Sequence, residues 1–228
     1  MEPAFTDRWQ AGERLADRLE DLRHRHPVVL ALPRGGVLVA APIARRLVAP
    51  LDLLLVRKIG APGQPELAVA AVVEGNPPQT VVDEALCLHT GADARYLADQ
   101  ERQALVEIAR RREHYRRGKP LPPLKGRTVI VVDDGMATGT TMRAALRGLR
   151  EAQPAAVVLA VPVAAPDSLA LLEGQAERIV CLSRPAGFRG VGAHYRDFHQ
   201  VPDSEVMDAL AAHDRAARAG GPLDASPD

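Results

Sequence analysis

Val-Ile-Val-Val-Asp-Asp-Gly-Met-Ala-Thr-Gly-Thr-Thr, residues 129–141, is the stretch on which the reading of this chain turns. Four β-formers run into two adjacent carboxylates, a loop of small residues follows, and residues 140–150 then have helical spacing, with Met142, Ala145, Leu146 and Leu149 on one face. A loop at the carboxyl end of a strand is where open α/β sheets hold ligands. A loop that feeds a helix start offers unpaired N–H groups and the positive end of the helix dipole, which suits a phosphate. The two acids beside it call for an opposite partner, either hydroxyl donors or a cation.

Working outward, the same alternation recurs. Apolar runs at 28–32, 51–56, 68–73, 127–132, 156–163 and 178–182 are separated by helical patterns at 7–25, 37–48, 140–150 and 167–174. Buried apolar strands alternating with helices predict an α/β fold: a doubly wound, mostly parallel five-stranded sheet. A polar helix over 92–117, with Leu97, Leu105, Ile108 and Tyr115 on one stripe, is a helical insertion (84–123) between the third and fourth strands, stopped by Pro120, Pro122 and Pro123. Residues 1–228 read as a single domain, with a small hood and C-terminal segment at 185–212 and a flexible tail at 214–228. Residues 58–66, rich in Gly and Pro, read as a loop.

The bulk properties exclude several classes. The chain has 228 residues, with 29 Lys and Arg against 29 Asp and Glu. That balance gives no global pull toward nucleic acid or membrane. Hydrophobic residues make up 46%, enough for a sizeable core. Cys87 and Cys181 are the only cysteines, too few for a disulfide framework or a cysteine metal site, and a cytoplasmic location is expected. The first residues lack a signal-peptide core, and no apolar run is long enough to span a bilayer. Residues 95–119 carry eight Lys or Arg against four Asp or Glu; the helix is read as solvated, capping a site or making a dimer contact, rather than binding nucleic acid.

The acid pair and its loop suit a sugar phosphate. Asp133 and Asp134 can accept from the two neighbouring hydroxyls of a cis-diol, or can hold a hydrated divalent cation. Gly139 permits close backbone approach, and Thr138, Thr140 and Thr141 can donate to phosphate oxygens. One loop separates the two sites, about the span from the 2- and 3-hydroxyls of a ribose to its 5-phosphate.

Val129–Thr141 closely resembles the 5-phosphoribosyl-1-pyrophosphate (PRPP) motif of type I phosphoribosyltransferases: four apolar residues, two acids, and a small-residue loop with Thr-Gly-x-Thr. It departs at Gly135, where the family has an aliphatic residue or Ser. Pro33-Arg34-Gly35-Gly36, after the first strand, resembles the family's pyrophosphate loop. Lys58, in Val56-Arg57-Lys58, stands where members carry a cation, and 59–66 resemble a lid hinged at Gly60 and Gly63. A group of bacterial predicted phosphoribosyltransferases shares Pro-Arg-Gly-Gly, Arg-Lys-x-Gly-Ala-Pro, Asp-Asp-Gly-x-Ala-Thr-Gly and the long insertion. The resemblance runs from about residue 7 to 212.

The resemblance implies transfer of ribose 5-phosphate from PRPP to a nitrogenous base or related small heterocycle, with pyrophosphate released. It implies Mg²⁺ as cofactor, held by Asp133 and Asp134 directly or through water, and a homodimer or a monomer. Arg34, Gly35, Gly36, Lys58, Asp133, Asp134, Gly135, Met136, Ala137, Thr138, Gly139, Thr140 and Thr141 would bind PRPP, with Arg34, Lys58 and the acid pair acting in the reaction. A role in nucleotide salvage follows from that chemistry. Ala137 stands where 6-oxopurine enzymes carry an Asp that serves the base, which argues against those acceptors. Phe188 is the first choice for stacking on the base, with Val191 beside it; Tyr195 and Phe198 read as hood packing, and His194 and His199 as structural. Glu66 and Glu74 are carboxylates that could recognise a base. The competing reading is a non-catalytic PRPP or nucleotide sensor of the same fold. A PRPP synthetase, which shares a related loop, is discounted because the chain is short for that two-domain enzyme.

Overall fold

In the computed structural model, which describes residues 4–219, five parallel strands form the central sheet in the order β2-β1-β6-β7-β8: β1 Val28–Ala31, β2 Leu51–Leu53, β6 Thr128–Val132, β7 Ala156–Val163 and β8 Arg178–Ser183. The strands are apolar throughout because both faces are covered. Alternate residues feed two cores. Val29, Ala31, Ile130, Val132, Val158 and Ala160 pack with α1 (Arg8–Leu19), α2 (Gly35–Leu47) and the buried residues of α4 (Ala94–Arg116) and α7 (Asp203–Ala219). Val28, Leu30, Val129, Val131, Leu159 and Val161 pack with α5 (Thr140–Leu149) and α6 (Pro166–Ala170). This is the doubly wound arrangement expected.

Three details differ from expectation. The run at 68–73 is not a parallel strand: it belongs to β4 (Gln64–Val73), the middle of an antiparallel sheet β3-β4-β5 with β3 Val56–Ala61 and β5 Gln79–Val82. The insertion therefore follows the second strand of the parallel sheet, and carries β3 to β5, α3 (Glu84–Thr90) and α4. The expected loop at 58–66 is a β-hairpin, with Gly63 at its turn (φ 71°) and Gly60 inside β3 at a shift in register. Finally, the expected flexible tail from 214 is helical as far as Ala219; residues 220–228 lie outside the described residues.

The two sheets are tied together. The Glu74 N–H donates to Leu55 O at 2.8 Å. Below it, Arg116 at the end of α4 is 5% exposed; its Nε donates to Asp52 at 2.6 Å, and its other nitrogens reach Glu74 and Leu53 O. Glu74 is thus a strut inside the fold and not a carboxylate offered to a base. Cys87 and Cys181 are both free.

Candidate active site

Chain direction fixes where the site must lie. From β1 the chain winds outward to β2, and later from β6 to β7 and β8 on the other side, so the topology switches between adjacent β1 and β6. The crevice at the carboxyl ends of two such strands is the place for a ligand. The loops leaving those ends are residues 33–36 and 133–139.

The first loop is drawn tightly against the second. The Leu32 N–H donates to Val132 O at 2.9 Å, and α2 begins at Gly35. A Cβ on Gly35 would sit 1.9 Å from Asp134 Oδ2, and one on Gly36 would be 2.9 Å from Val132 O. Only glycine lets this loop reach the acids. The Pro33–Arg34 peptide is cis, and the Arg34 guanidinium, half exposed, points at Asp203 on α7, 3.8 Å away.

The second loop is pinned at its middle and open at its end. Met136 exchanges backbone hydrogen bonds with Val163 O (2.9 Å) and with the Ala165 N–H (3.0 Å), and Ser168 Oγ donates to Ala137 O. Ala137 and Thr138 are exposed. Gly139, at φ 71°, turns the chain into α5, whose first N–H groups have no partner within the helix. Thr140 Oγ1 lies 3.3 Å from Thr138 Oγ1, so the hydroxyls cluster at that open end.

The acid pair is not free. Asp134 Oδ2 accepts from Arg8 Nε at 2.8 Å in a nearly buried ion pair, with side chains 6% and 17% exposed. Arg8 also donates to His199 O at 3.0 Å and lies 3.9 Å over the Phe198 ring. The Asp134 N–H donates to Asp133 Oδ1 at 2.8 Å. Burial, joined by the neighbouring Asp134 charge, pushes the Asp133 carboxyl well above the usual carboxylate range. Burial also raises Asp134, against the opposing pull of Arg8. Arg8 was not among the sequence candidates. Its one local oddity is a cation in the first turn of a helix, where the dipole favours an anion.

Behind the acids stands the hood. Tyr195 Oη donates to Asp134 O at 2.5 Å, and its ring packs on Phe5 and Phe198. Burial, with Asp134 adding to it, raises the Tyr195 phenol, so this hydroxyl keeps its proton. Tyr195 and Phe198 are hood packing, as expected. His194 is 7% exposed and lies flat against Phe188, with ring centroids 5.7 Å apart. His199 is gripped by Glu205 and Asp197, whose hydrogen bonds raise its pKa. Phe188 is half-buried, one face covered by His194. Val191 packs onto the loop: a Cβ on Gly135 would sit 2.4 Å from Val191 Cγ1. The bulk that Gly135 lacks is thus supplied by Val191.

The last cations come from β3. Arg57 and Lys58 are exposed and make no ion pair with a described residue. Adjacent strand residues face opposite ways. Lys58 pairs with Ala71, which packs in the core around α5; Arg57 turns the other way and lines a small cavity with Leu32, Pro33, Glu107, Arg111 and Thr141. The structure thus brings together Gly35, Gly36, Asp133, Asp134 and the 135–141 loop, and sets Lys58 and Arg57 on the two faces of one strand beside them.

Among the described residues no group of three or more His, Cys, Asp or Glu side chains is placed to hold a metal, and no helix is long and apolar enough to cross a membrane. The acid pair alone fits a metal only in part. Asp134 is engaged by a guanidinium, which opposes direct coordination, whereas Asp133 carries no such cation.

Comparison with known proteins identifies the family. The sequence model of the phosphoribosyl transferase domain matches residues 7–195. A protein of Mycobacterium tuberculosis H37Rv, provisionally named a phosphoribosyl transferase, is 45% identical over 224 residues, covering 98% of this chain and 50% of its own length. Its counterpart in strain CDC 1551 gives the same figures. The chain spans about half the length of the curated relatives it matches. The crystal structure of TT1426 from Thermus thermophilus is 45% identical and superposes with a TM-score of 0.80, covering 91% of this chain and 98% of that one.

Proposed function

Since the chain belongs to the phosphoribosyl transferase domain family, we propose that it moves a 5-phosphoribosyl group from PRPP to a nitrogenous base or related small heterocycle, releasing pyrophosphate. The observation that carries this reading is the contact between the two loops at the β1/β6 switch point, where Gly35 and Gly36 abut the Asp133–Asp134 pair. A diphosphate on the first loop and a ribose diol on the acids would then be neighbours, as they are in PRPP.

The roles follow from charge. The 5-phosphate would sit at the start of α5, held by loop N–H groups and the hydroxyls of Thr138, Thr140 and Thr141. Asp133 and Asp134 would accept from the ribose hydroxyls and lie near the positive charge that grows on the ring. Arg34, Lys58 and the N–H groups of Gly35 and Gly36 would take up the negative charge growing on the departing diphosphate. Mg²⁺ bound with the donor, reached by Asp133 through water, would supply further charge neutralisation there. The base would lie on the face of Phe188 that His194 leaves uncovered. Ala137 holds no exchangeable proton, which favours acceptors other than 6-oxopurines.

A PRPP sensor is the second reading, and one observation favours it: Arg8 already offsets the charge of Asp134, which weakens that acid as a stabiliser of a ring cation. The deciding experiment is pyrophosphate release from PRPP and Mg²⁺ across a panel of purines, pyrimidines and pyridine carboxylates. Turnover with some base is expected; PRPP binding without turnover on any base would favour the sensor. Asp133→Asn with Asp134→Asn should lower PRPP affinity by at least about two orders of magnitude, since each lost charged hydrogen bond is worth about 1.5–3 kcal/mol. Unchanged affinity by calorimetry, with the fold intact by circular dichroism, would refute the site.

A further inference from the structure

A cavity of about 220 Å³ opens between the first loop and the insertion helix, lined by Arg34, Arg110, Arg111, His114, Tyr115 and Asp203. We propose that it is an oxyanion site for a diphosphate group, with Arg34 as one wall and Arg110, Arg111 and His114 of α4 as the other. The proposal rests on reading the 33–36 loop as the diphosphate grip, and extends it to a segment of the chain that the motifs do not touch.

Three observations carry it. First, α4 is fixed in place: Ala104, Ile108 and Tyr115 are buried in the core, so residues 110, 111 and 114 are held facing the loop. The helix reaches Leu32 and Pro33 as well, through Glu107, Ile108 and Arg111 at the adjoining cavity. Second, cations outnumber their partners. One carboxylate, Glu107, serves both Arg110 (2.8 and 3.0 Å) and Arg111 (2.8 Å). Another, Asp203, faces Arg34 at 3.8 Å and His114 at 3.6 Å, both too long for hydrogen bonds, while its one close partner is the Tyr115 hydroxyl at 2.7 Å. Three guanidiniums and an imidazole thus face two carboxylates. Third, the donors suit the ligand: guanidinium forks match phosphate oxygens two at a time. A diphosphate entering the cavity would take the donors that Asp203 and Glu107 now share, and the fixed helix would form the wall over the diphosphate end of the substrate.

The test is calorimetric titration of inorganic pyrophosphate, orthophosphate and ribose 5-phosphate into the full chain. Arg110→Ala with Arg111→Ala should weaken pyrophosphate at least about tenfold, as the loss of a charge-assisted hydrogen bond requires, and leave ribose 5-phosphate unchanged. Asp203→Asn removes the competing charge and should tighten pyrophosphate, a gain that misfolding cannot imitate. Arg102→Ala, on the solvent side of the same helix, should change nothing. Pyrophosphate affinity unchanged in the double variant, or no tightening in Asp203→Asn, would overturn the proposal, as would orthophosphate binding as tightly as pyrophosphate. Ribose 5-phosphate binding without pyrophosphate binding would overturn the helix site and leave the donor reading standing. Arginine-dependent pyrophosphate binding without ribose 5-phosphate binding would do the reverse.

Discussion

Replacing Arg8 by Met should destabilise the protein strongly at neutral pH and much less in acid. Met retains the apolar stem under Phe198 and removes the charge, the 2.8 Å bond to Asp134 and the 3.0 Å bond to His199 O. Breaking one side of a buried ion pair costs about 3–5 kcal/mol, because the remaining charge is left unpaired. With side chains 6% and 17% exposed, this pair falls in that class, at its lower end. The pH dependence has a definite sign. Burial already raises the carboxyls of Asp133 and Asp134, and Arg8 opposes that shift in both. Without Arg8 both rise further. An acid whose folded pKa lies above its unfolded one binds more protons in the native state, so its contribution to stability falls as pH rises through that window. The loss relative to the parent should therefore grow from mildly acid to alkaline pH. At pH ~8 about 3 kcal/mol is expected, a fall in melting temperature of roughly 6–12 °C for a chain this long. At pH ~4.5, where protonation relieves the stranded acids, the loss should be less than half as large. Urea unfolding of parent and variant at the two pH values measures this directly. A loss under about 1 kcal/mol at the higher pH, or an equal loss at both, would refute the picture of a buried pair in which Arg8 opposes the upward shift of the acids.

Two further outcomes follow from packing. Gly135→Ala should cost about 1–3 kcal/mol in chemical denaturation, since the new methyl would meet Val191 Cγ1 at 2.4 Å, and Val191→Ala in the same chain should recover part of it; strictly additive effects would deny the contact. Arg116→Met should cost about 3–5 kcal/mol by stranding Asp52 and Glu74 inside the fold, and a loss below about 1 kcal/mol would show that Arg116 is no strut between the two sheets.

What the sequence made legible is what depends on local pattern. The strands of the parallel sheet are continuous apolar runs, and their burial on both faces requires that. The same logic misplaced β4. Ala70 and Val72 face one core while Ala71 and Val73 face the other, so this antiparallel strand reads like a parallel one. The hairpin at 58–66 was hidden by its breakers. Pro62 and Gly63 make the turn; Pro65 is tolerated because β4 pairs with β5 only from Ala70 onward, leaving no ladder bond there for its missing N–H to break. The last helix was lost to composition: residues 210–219 are small and charged, but they are mostly Ala and Arg, which are strong helix formers.

The site divides along the same line. Its loops carry local patterns, so Asp133 and Asp134 could be picked out from their own segment, and Gly35 and Gly36 from their place after the first strand. Its cations do not. Arg8 lies 126 residues from Asp134 in sequence, and Arg110 and Arg111 sit in a helix whose composition reads as an ordinary solvated face. Arg8 did leave a trace. Helix α1 has its Asp at the cap, where its side chain accepts from Gln10 N, and no acid in its first turn; the first residue of that turn is instead an arginine. That choice works against the helix dipole, and local rules are broken most readily where a functional site needs the residue. Here the arginine gives up a favourable local interaction to reach the acid pair. In doing so it links the first helix, the acid-pair loop and the hood through one guanidinium. Asp134 answers from its backbone as well, through the hydroxyl of Tyr195. The acid expected to hold the ribose is therefore also the residue on which the hood is hung.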